Sequence, residues 1–411
     1  MRRLRTTSTA RLLTILACAG VLVTTAAIAQ AALTGSGPVP APKALAQAIE
    51  DALGATPPDG VTARISFTNN LLPSGSLPGT SSALTSGADG RLWLTKDGRL
   101  RIELQSSSGD AQITSDGKQI TLFDSSSNTV YKATLPDEPA GDAAKRDDHG
   151  NPTIAKIQDA LNRLAKLWTV SGADPTSQAG QPAYSVRIAP KDDGGLLGAA
   201  KVAWDAVTGV PLRAAVYAQG QADPVLELKA TDISYGSVSD SDVTATPPQG
   251  AKVVDLSPKD DPADPQAGSH PGDGPHGTHP ADVSGVDAVG KALDFPLSAP
   301  ATLAGLPRHE AHLVDFGHEK GALVTYGKGL GAIAVFEHRT DTADASSTAA
   351  PEKSGRDGGA ALPQINIDGA TGTEIPTALG TIVTFERDGV SYVIAGSVPP
   401  LAAENAARGL R

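Results

Sequence analysis

The chain has 411 residues, with 34 Lys and Arg against 45 Asp and Glu, and so a formal net charge of −11. This length suggests two domains, and the acidic balance argues against a nucleic-acid surface, which needs a clustered basic face. The single Cys excludes a disulfide scaffold and any metal or redox centre built from several cysteines.

Residues 1–33 have the order of a secretory signal. Basic residues without an acid precede an apolar run from Leu12 to Ala29, and small residues follow at 29–31. Cleavage after this signal would remove Cys18 and lower the net charge from −11 to −15, because residues 1–31 hold four Arg.

An uncleaved segment 12–33 would be long enough to anchor the chain in a membrane, so cleavage and a transmembrane helix both remain open. A lipid-anchored Cys18 and a twin-arginine signal at Arg2-Arg3 are weaker alternatives. Each of these possibilities predicts a protein that is secreted or lies on the extracytoplasmic face of the cytoplasmic membrane.

After a first amphipathic helix at Lys43–Leu53, apolar and polar residues alternate, which predicts strands with one apolar face. Pairs such as Asp97-Gly98 separate several of these segments and suit tight hairpin turns. The predicted strands are Val61–Thr68, Arg91–Lys96, Arg99–Gln105, Ala111–Ser115, Gln119–Phe123, Thr129–Thr134, Ala183–Ala189, Ala200–Asp205, Leu212–Ala218 and Val225–Ser234.

A second helix interrupts the strands. Asn151-Pro152 is typical of an N-cap followed by a first helical position. The apolar residues of 154–168 then recur at intervals of three and four, which predicts one apolar helix face. About ten antiparallel strands and two such helices predict an α+β architecture, a curved half-barrel sheet wrapped on helices.

Residues 257–285 are rich in Pro, Gly, Asp and His, and they cannot bury enough apolar surface to fold. We expect a disordered linker there, followed by a small C-terminal α+β domain at 286–411 with a flexible loop at 339–362. Its predicted elements are a final helix after Pro399-Pro400 and the strands His312–Phe316, Ala322–Tyr326, Ala332–His338, Thr381–Glu386 and Val390–Ala395.

The sequence contains no motif of an enzyme. We find neither a nucleophile elbow, nor a P-loop, nor a dinucleotide fingerprint on a strand–helix junction. In the linker, His270, His276 and His279 with Asp273 leave a weak metal patch open, although a Gly- and Pro-rich linker tolerates any polar residue. His309 and His312, with His318 after them, lack the spacing of the H-E-x-x-H zinc motif. We therefore expect a non-enzymatic protein without a cofactor or a metal.

The alternating segments could enclose an apolar cavity, although the same residues could simply pack as a core. Four stretches resemble the hairpins of the LolA-type lipoprotein carriers: 91–104 (RLWLTKDGRLRIEL), 119–135 (QITLFDSSSNTVYKATL), 179–190 (AGQPAYSVRIAP) and 202–213 (VAWDAVTGVPLR). This resemblance covers residues 43–256.

It implies an unclosed barrel around helices, with a hydrophobic cavity for lipid acyl chains or a lipoprotein. The candidate cavity residues on the sheet are Ile65, Phe67, Leu92, Leu94, Leu100, Ile102 and Leu104, and those on the lid helix are Ile157, Leu161 and Leu164.

The layout of carrier-like domain, linker and smaller domain also resembles the RseB (MucB) family of periplasmic regulators. In that family the C-terminal domain engages a membrane-bound anti-sigma factor. The resemblance therefore implies an alternative function in envelope-stress regulation, with a membrane-bound regulatory protein as partner. We expect a monomer and no nucleic-acid partner.

Overall fold

The computed structural model describes residues 37–72, 82–135, 152–191, 195–256, 283–315, 320–340 and 363–410. The chain divides into two compact units, a first drawn from 1–71, 80–193 and 197–257 and a second drawn from 72–79, 194–196 and 258–411. Both are mostly β with few helices, so the α+β prediction overstated the share of helix.

Three predicted segments lie wholly or largely outside the described residues: the signal at 1–33, the linker at 257–285 and the loop at 339–362. Within the described ranges, no helix has both the length and the apolar character needed to cross a membrane.

Thirteen strands form the sheet of the first unit, in the order β13-β6-β5-β4-β3-β2-β1-β12-β11-β10-β9-β7, with β8 paired to β9. Neighbours are antiparallel except β13, which runs parallel to β6 and makes the sheet mixed. The strands are β1 Gly60–Asn69, β2 Ala88–Thr95, β3 Leu100–Ser106, β4 Gly109–Ser115, β5 Gln119–Asp124, β6 Thr129–Thr134, β7 Trp168–Val170, β8 Asp174–Gln178, β9 Gln181–Pro190, β10 Leu197–Asp205, β11 Pro211–Ala218, β12 Leu226–Tyr235 and β13 Lys252–Asp255.

The ten strands predicted for this unit are all present, nine of them with shifted ends, and β7, β8 and β13 were missed. The polar sequence of β8, Asp174–Gln178, carries no alternating pattern. Strand β7 begins at Trp168. The apolar period of residues 154–168 predicted that Trp168 belongs to the preceding helix, but that helix ends at Leu164.

The helices of this unit are α1 Leu45–Gly54, α2 Ala83–Ser86, α3 Ile154–Leu164 and α4 Asp240–Val243. The buried face of α3 presents Ile157 and Leu161, and that of α1 includes Leu45 and Ile49. These residues pack in one cluster with side chains of β9 and β10, including Val186 and Val202. The apolar face of α1 and that of α3 are both buried against the sheet, and this burial stabilises the two helices more than helix propensity alone.

A buried carboxylate organises the turn after β10. Asp205 accepts hydrogen bonds from the backbone N–H of Val207 at 2.7 Å and of Thr208 at 3.0 Å. The hydroxyl of Tyr235 donates to its other oxygen at 2.5 Å. Burial, reinforced by this carboxylate, raises the pKa of Tyr235. The stretch 202–213 that resembles the carriers therefore has a structural role at this turn.

The second unit contains an eight-stranded antiparallel sheet in the order β14-β15-β16-β17-β21-β20-β19-β18, where five strands were expected. Two four-stranded meanders meet where β17 pairs with β21. Its elements are α5 Val286–Ala292, β14 Thr302–Leu303, β15 Leu306–Asp315, β16 Lys320–Tyr326, β17 Ile333–Arg339, β18 Gln364–Ile367, β19 Ala370–Thr377, β20 Gly380–Arg387, β21 Val390–Gly396 and α6 Pro400–Gly409.

The end of the predicted linker belongs to this second unit. The backbone N–H of Leu313 donates to Val283 at 2.9 Å, and that of Gly285 donates to Ala311 at 2.8 Å. The prediction of a linker extending to residue 285 is therefore wrong for residues 283–285, which pair with β15 and lead into α5.

The inner face of the second sheet is closed. A row of directly paired residues crosses β15, β16, β17, β21 and β20, and four of its members have no solvent exposure. We call this row the closed ladder: Ala311, Val324, Val335, Ile394 and Val383. Alanines of α6, among them Ala403 and Ala407, pack in the same core.

Candidate functional site

An apolar row with a very different exposure crosses the first sheet. The antiparallel register pairs each residue with the next across β2 to β6, and directly opposed residues of such strands point to the same face. The row consists of Leu92, Ile102, Ile113, Leu122 and Tyr131. Every one of the five is half-buried. We call this row the open ladder.

A second row runs beside the open ladder at the neighbouring in-register positions. It consists of Leu94, Leu100, Ser115, Ile120 and Ala133, again one residue from each of five strands and again half-buried. The apolar surface is therefore two rows wide.

On its other side the open ladder meets a closed part of the same face. Ile65, Leu104 and Ala111 are each no more than 4% exposed, and they pack in one cluster with Ala83 of α2. Ser82 caps this short helix, its side chain accepting from the backbone N–H of Leu84 at 3.3 Å. Leu92, Ile102 and Leu122 of the open ladder pack against this cluster but are only half-buried, so burial decreases from this row to the open ladder.

The apolar face continues into the part of the sheet that α1 and α3 cover. The connecting row is Phe67, Leu228, Ala214, Val202 and Val186. At this end, Val186 and Val202 are buried under the two helices. One face of one sheet is thus sealed at the β9–β10 end and open across β2 to β6.

The structure places the ten predicted cavity residues in two separate groups. Six sheet residues belong to one cluster, either buried or packed against it: Ile65, Phe67, Leu92, Leu94, Ile102 and Leu104. Leu100 is half-buried on the same face but outside that cluster.

The three helix residues lie in the other cluster. Ile157 and Leu161 are buried with α1 and with β9 and β10, and Leu164 packs against them. The structure therefore does not bring the predicted lid over the predicted sheet residues. The apolar face of α3 indicated that it would cover the sheet, but periodicity carries no information about which strands it covers.

Sequence reasoning missed the far half of the open ladder. Ile113, Leu122 and Tyr131 lie in predicted strands but were not among the candidate residues. The signal that could have found them is the hairpin register, because the Asp116-Gly117 turn aligns Ile113 with Leu122. The pKa of Asp116 is lowered by hydrogen bonds from the backbone N–H groups of Gln119 and Lys118, which fix this turn.

The described residues contain no group of three or more His, Cys, Asp or Glu that could hold a metal. His309 and His312 both lie on β15, where Glu310 contacts the Nε2 of His312 at 3.1 Å. This hydrogen bond lowers the pKa of Glu310. His318 and the linker histidines lie outside the described residues.

Comparison with known proteins gives a family match and several structural likenesses. Residues 66–145 match the family described as a predicted periplasmic protein (DUF2092), which agrees with the extracytoplasmic location that the sequence predicted. No curated protein matches the chain.

Among solved structures, the chain is similar to the MucA/MucB complex of Pseudomonas aeruginosa, at 14% identity over 89% of this chain and 98% of that chain with a TM-score of 0.40. It is also similar to a putative outer membrane lipoprotein-sorting protein domain from Vibrio parahaemolyticus, at 11% identity over 48% of this chain and 95% of that chain with a TM-score of 0.21. A LolA superfamily protein from Nitrosomonas europaea matches at 11% identity over 49% and 98% of the two chains, with a TM-score of 0.21. The neighbours thus include the two groups that the sequence resembled.

Proposed function

We propose that this is a non-enzymatic binding protein of the extracytoplasmic space, whose first unit holds the acyl chains of a lipid or a lipoprotein against the open ladder. The observation that carries the proposal is the row of five half-buried apolar side chains on five neighbouring strands. Contiguous apolar surface of this kind marks a binding site, because leaving it in water is costly.

The shape of the surface favours an acyl chain. Neighbouring strands lie about 4.8 Å apart, so a row across five strands is roughly 19 Å long. A long, unbranched hydrocarbon can lie along such a row and cover its side chains, which stabilises the complex by about 25 cal/mol for each Å² of apolar surface removed from water.

Several predicted residues keep a role in this proposal. Leu92 and Ile102 belong to the open ladder itself, and Leu94 and Leu100 belong to the row beside it. Ile65 and Leu104 form the buried floor under α2, with Phe67 at the same end of the face. The residues of α3 stabilise the covered end of the sheet and are not proposed as ligand contacts.

A pair of variants on β4 tests the proposal. Ile113→Asn places a neutral polar side chain in the open ladder, while Thr114→Asn changes the next residue, which points to the opposite face. We expect Ile113→Asn to weaken binding of a fluorescent fatty acid by about tenfold or more, because burial of a large aliphatic side chain contributes about 1.5–3 kcal/mol. Thr114→Asn should bind like the unchanged protein.

Equal affinities for the two variants and the unchanged protein would contradict the proposal. Native mass spectrometry of protein extracted from cells gives a second readout. We expect bound lipid on the unchanged protein and less of it on Ile113→Asn, whereas a uniformly ligand-free mass together with no fatty-acid uptake would count against a carrier.

The alternative function, in which the second unit binds a membrane-bound anti-sigma factor, stays a prediction from the sequence. The closed ladder shows that the core of this unit is sealed, so such a partner would have to bind its outer surface. A pulldown from membranes that recovers no protein dependent on residues 286–411 would remove this alternative.

A further inference from the structure

The face of the first sheet opposite the apolar face carries an unusual pair of like charges. Arg187 on β9 and Lys201 on β10 are direct cross-strand partners. Like charges in this position destabilise a sheet. The pair is conspicuous because the chain as a whole is acidic.

Neighbouring cations on the same face are neutralised locally. Arg213 donates from Nε to Glu227 at 2.6 Å, and the Nζ of Lys229 lies 2.7 Å from the other oxygen of Glu227. Glu227 is only 3% exposed, and its two cationic partners offset the effect of burial, so that its pKa is lowered.

Arg187 and Lys201 have no such partner within the described part of the chain. The guanidinium of Arg187 lies over the ring of Tyr217, 5.8 Å from its centroid, where it gains a cation–π contact but no neutralising charge. The pKa of Lys201 is lowered, chiefly by burial and then by Arg213, while Asp174 opposes the shift. The charge of Lys201 is therefore incompletely compensated.

A cleft lies beside Arg187, while Lys201 stands next to Arg187 on the neighbouring strand. Its volume is about 510 Å³, and its lining includes Arg187, Lys191, Ser171 and Thr169 together with the apolar residues Ala165 and Ala189. The Ser171 hydroxyl already donates to the carbonyl of Gly172 at 2.9 Å. Two cations and the hydroxyl of Thr169 thus border one concave surface, a combination that can both neutralise and hydrogen-bond an anion.

We propose that the edge of the first sheet at β7, β9 and β10 is an anion-binding site for a phosphate group, held by Arg187 and Lys191 in the cleft with Lys201 beside Arg187. Arginine supplies a planar fork of donors that matches phosphate oxygens, and the lysines add point charges. The bound anion removes the repulsion between the opposed cations. This site is separate from the open ladder, since Arg187 and Lys201 point to the other face of the sheet.

The test uses the full chain and two probes, inorganic phosphate and the soluble short-chain lipid dihexanoyl phosphatidic acid. The melting temperature of the first unit is followed by tryptophan fluorescence, because Trp93, Trp168 and Trp204 all lie in that unit. A ligand that binds only the folded state raises this temperature. Chloride at the same ionic strength is the reference.

We expect either or both probes to raise the melting temperature of the unchanged protein by a few degrees above the chloride reference. The double variant Arg187→Gln, Lys201→Gln should lose the shift and bind the effective probe at least about tenfold more weakly, since it loses the charge-assisted hydrogen bonds to the anion. Removal of two repelling charges should leave it folded in chloride. Lys156→Gln, which removes an exposed charge on α3, is the matched control and should keep the full shift.

The two probes separate the sources of the anion. A shift with inorganic phosphate shows that the free ion suffices. A shift confined to the phosphatidic acid identifies a lipid headgroup as the ligand when the double variant loses it, because acyl chains on the open ladder would shift both proteins alike. No shift with either probe overturns the proposal, as does a double variant that responds like the unchanged protein. Asp192 and Asp193 follow Lys191 in the sequence but lie outside the described residues.

Discussion

The open ladder of the first unit and the closed ladder of the second are built alike and buried differently. Each crosses five hydrogen-bonded antiparallel strands in register, with mainly aliphatic side chains. The closed ladder is at most 3% exposed at every position, whereas every residue of the open ladder is half-buried. An alternating sequence therefore specifies an apolar face, and the elements packed on that face decide whether it becomes a core or a binding surface.

The covering elements explain the difference. In the second unit, α6 and the segment around Phe295 pack in the same core as the closed ladder. In the first unit, α1 and α3 pack with β9 and β10, and α2 packs with the buried row next to the open ladder. Three predictions sharpen this comparison, and their expected effects decrease in order.

The largest effect is expected from a cavity in the closed ladder. Ile394→Ala should lower the free energy of unfolding of the second unit by about 2–5 kcal/mol, because the side chain is fully buried and its neighbours cannot collapse into the space. Urea unfolding followed by circular dichroism reports both units, while tryptophan fluorescence reports only the first. Loss of stability in the fluorescence signal, or none in either, would show that the closed ladder is not an independent core.

A buried acid beside the closed ladder should make the second unit sensitive to pH. Glu337 has no solvent exposure and accepts a hydrogen bond from the backbone N–H of Ser298 at 2.9 Å. Its other oxygen and the hydroxyl of Tyr326 have no hydrogen-bond partner among the described residues. Burial raises the pKa of Glu337 from 4.5 to about 7.

The sign of the effect follows from this raised pKa. The folded state holds the proton more tightly than the unfolded state, so the stabilising contribution is complete below pH 4.5 and is lost as the pH rises through about 7. Between these limits the second unit should lose about 3 kcal/mol. Glu337→Gln, which stays neutral, should remove this dependence. Urea unfolding at a series of pH values measures this dependence. If the free energy of unfolding of the second unit changed with pH equally in the unchanged protein and in Glu337→Gln, the assignment to Glu337 would be contradicted.

The smallest effect on stability is expected in the open ladder. Ile113→Ala should lower the free energy of unfolding by about 1 kcal/mol or less, because a half-buried side chain gives up little burial and water fills the space left. Fluorescence-detected urea unfolding measures it. A loss as large as that of Ile394→Ala would mean that the open ladder is part of a core.

The strands could largely be predicted from the sequence, because alternation and Asp-Gly turns fix local structure. Residues 129–134 were predicted with the same ends that the structure has, but the polar strand β8 carries no alternation and escaped prediction. The candidate site could be predicted only in part. Leu92 and Ile102 are on the apolar face as expected, whereas Leu161 packs under another part of the sheet. Which strands a helix covers depends on contacts between residues that are distant in sequence. The spacing of apolar residues along a helix does not encode those contacts.

Photo-crosslinking with a diazirine-labelled fatty acid, mapped by mass spectrometry, tests the central claim most directly. The account predicts labels on β2 to β6 at or beside Leu92, Ile102, Ile113, Leu122 and Tyr131, with none on the closed ladder. Labels concentrated in the second unit, or under α1 and α3, would contradict the claim that the open ladder is the acyl-chain site.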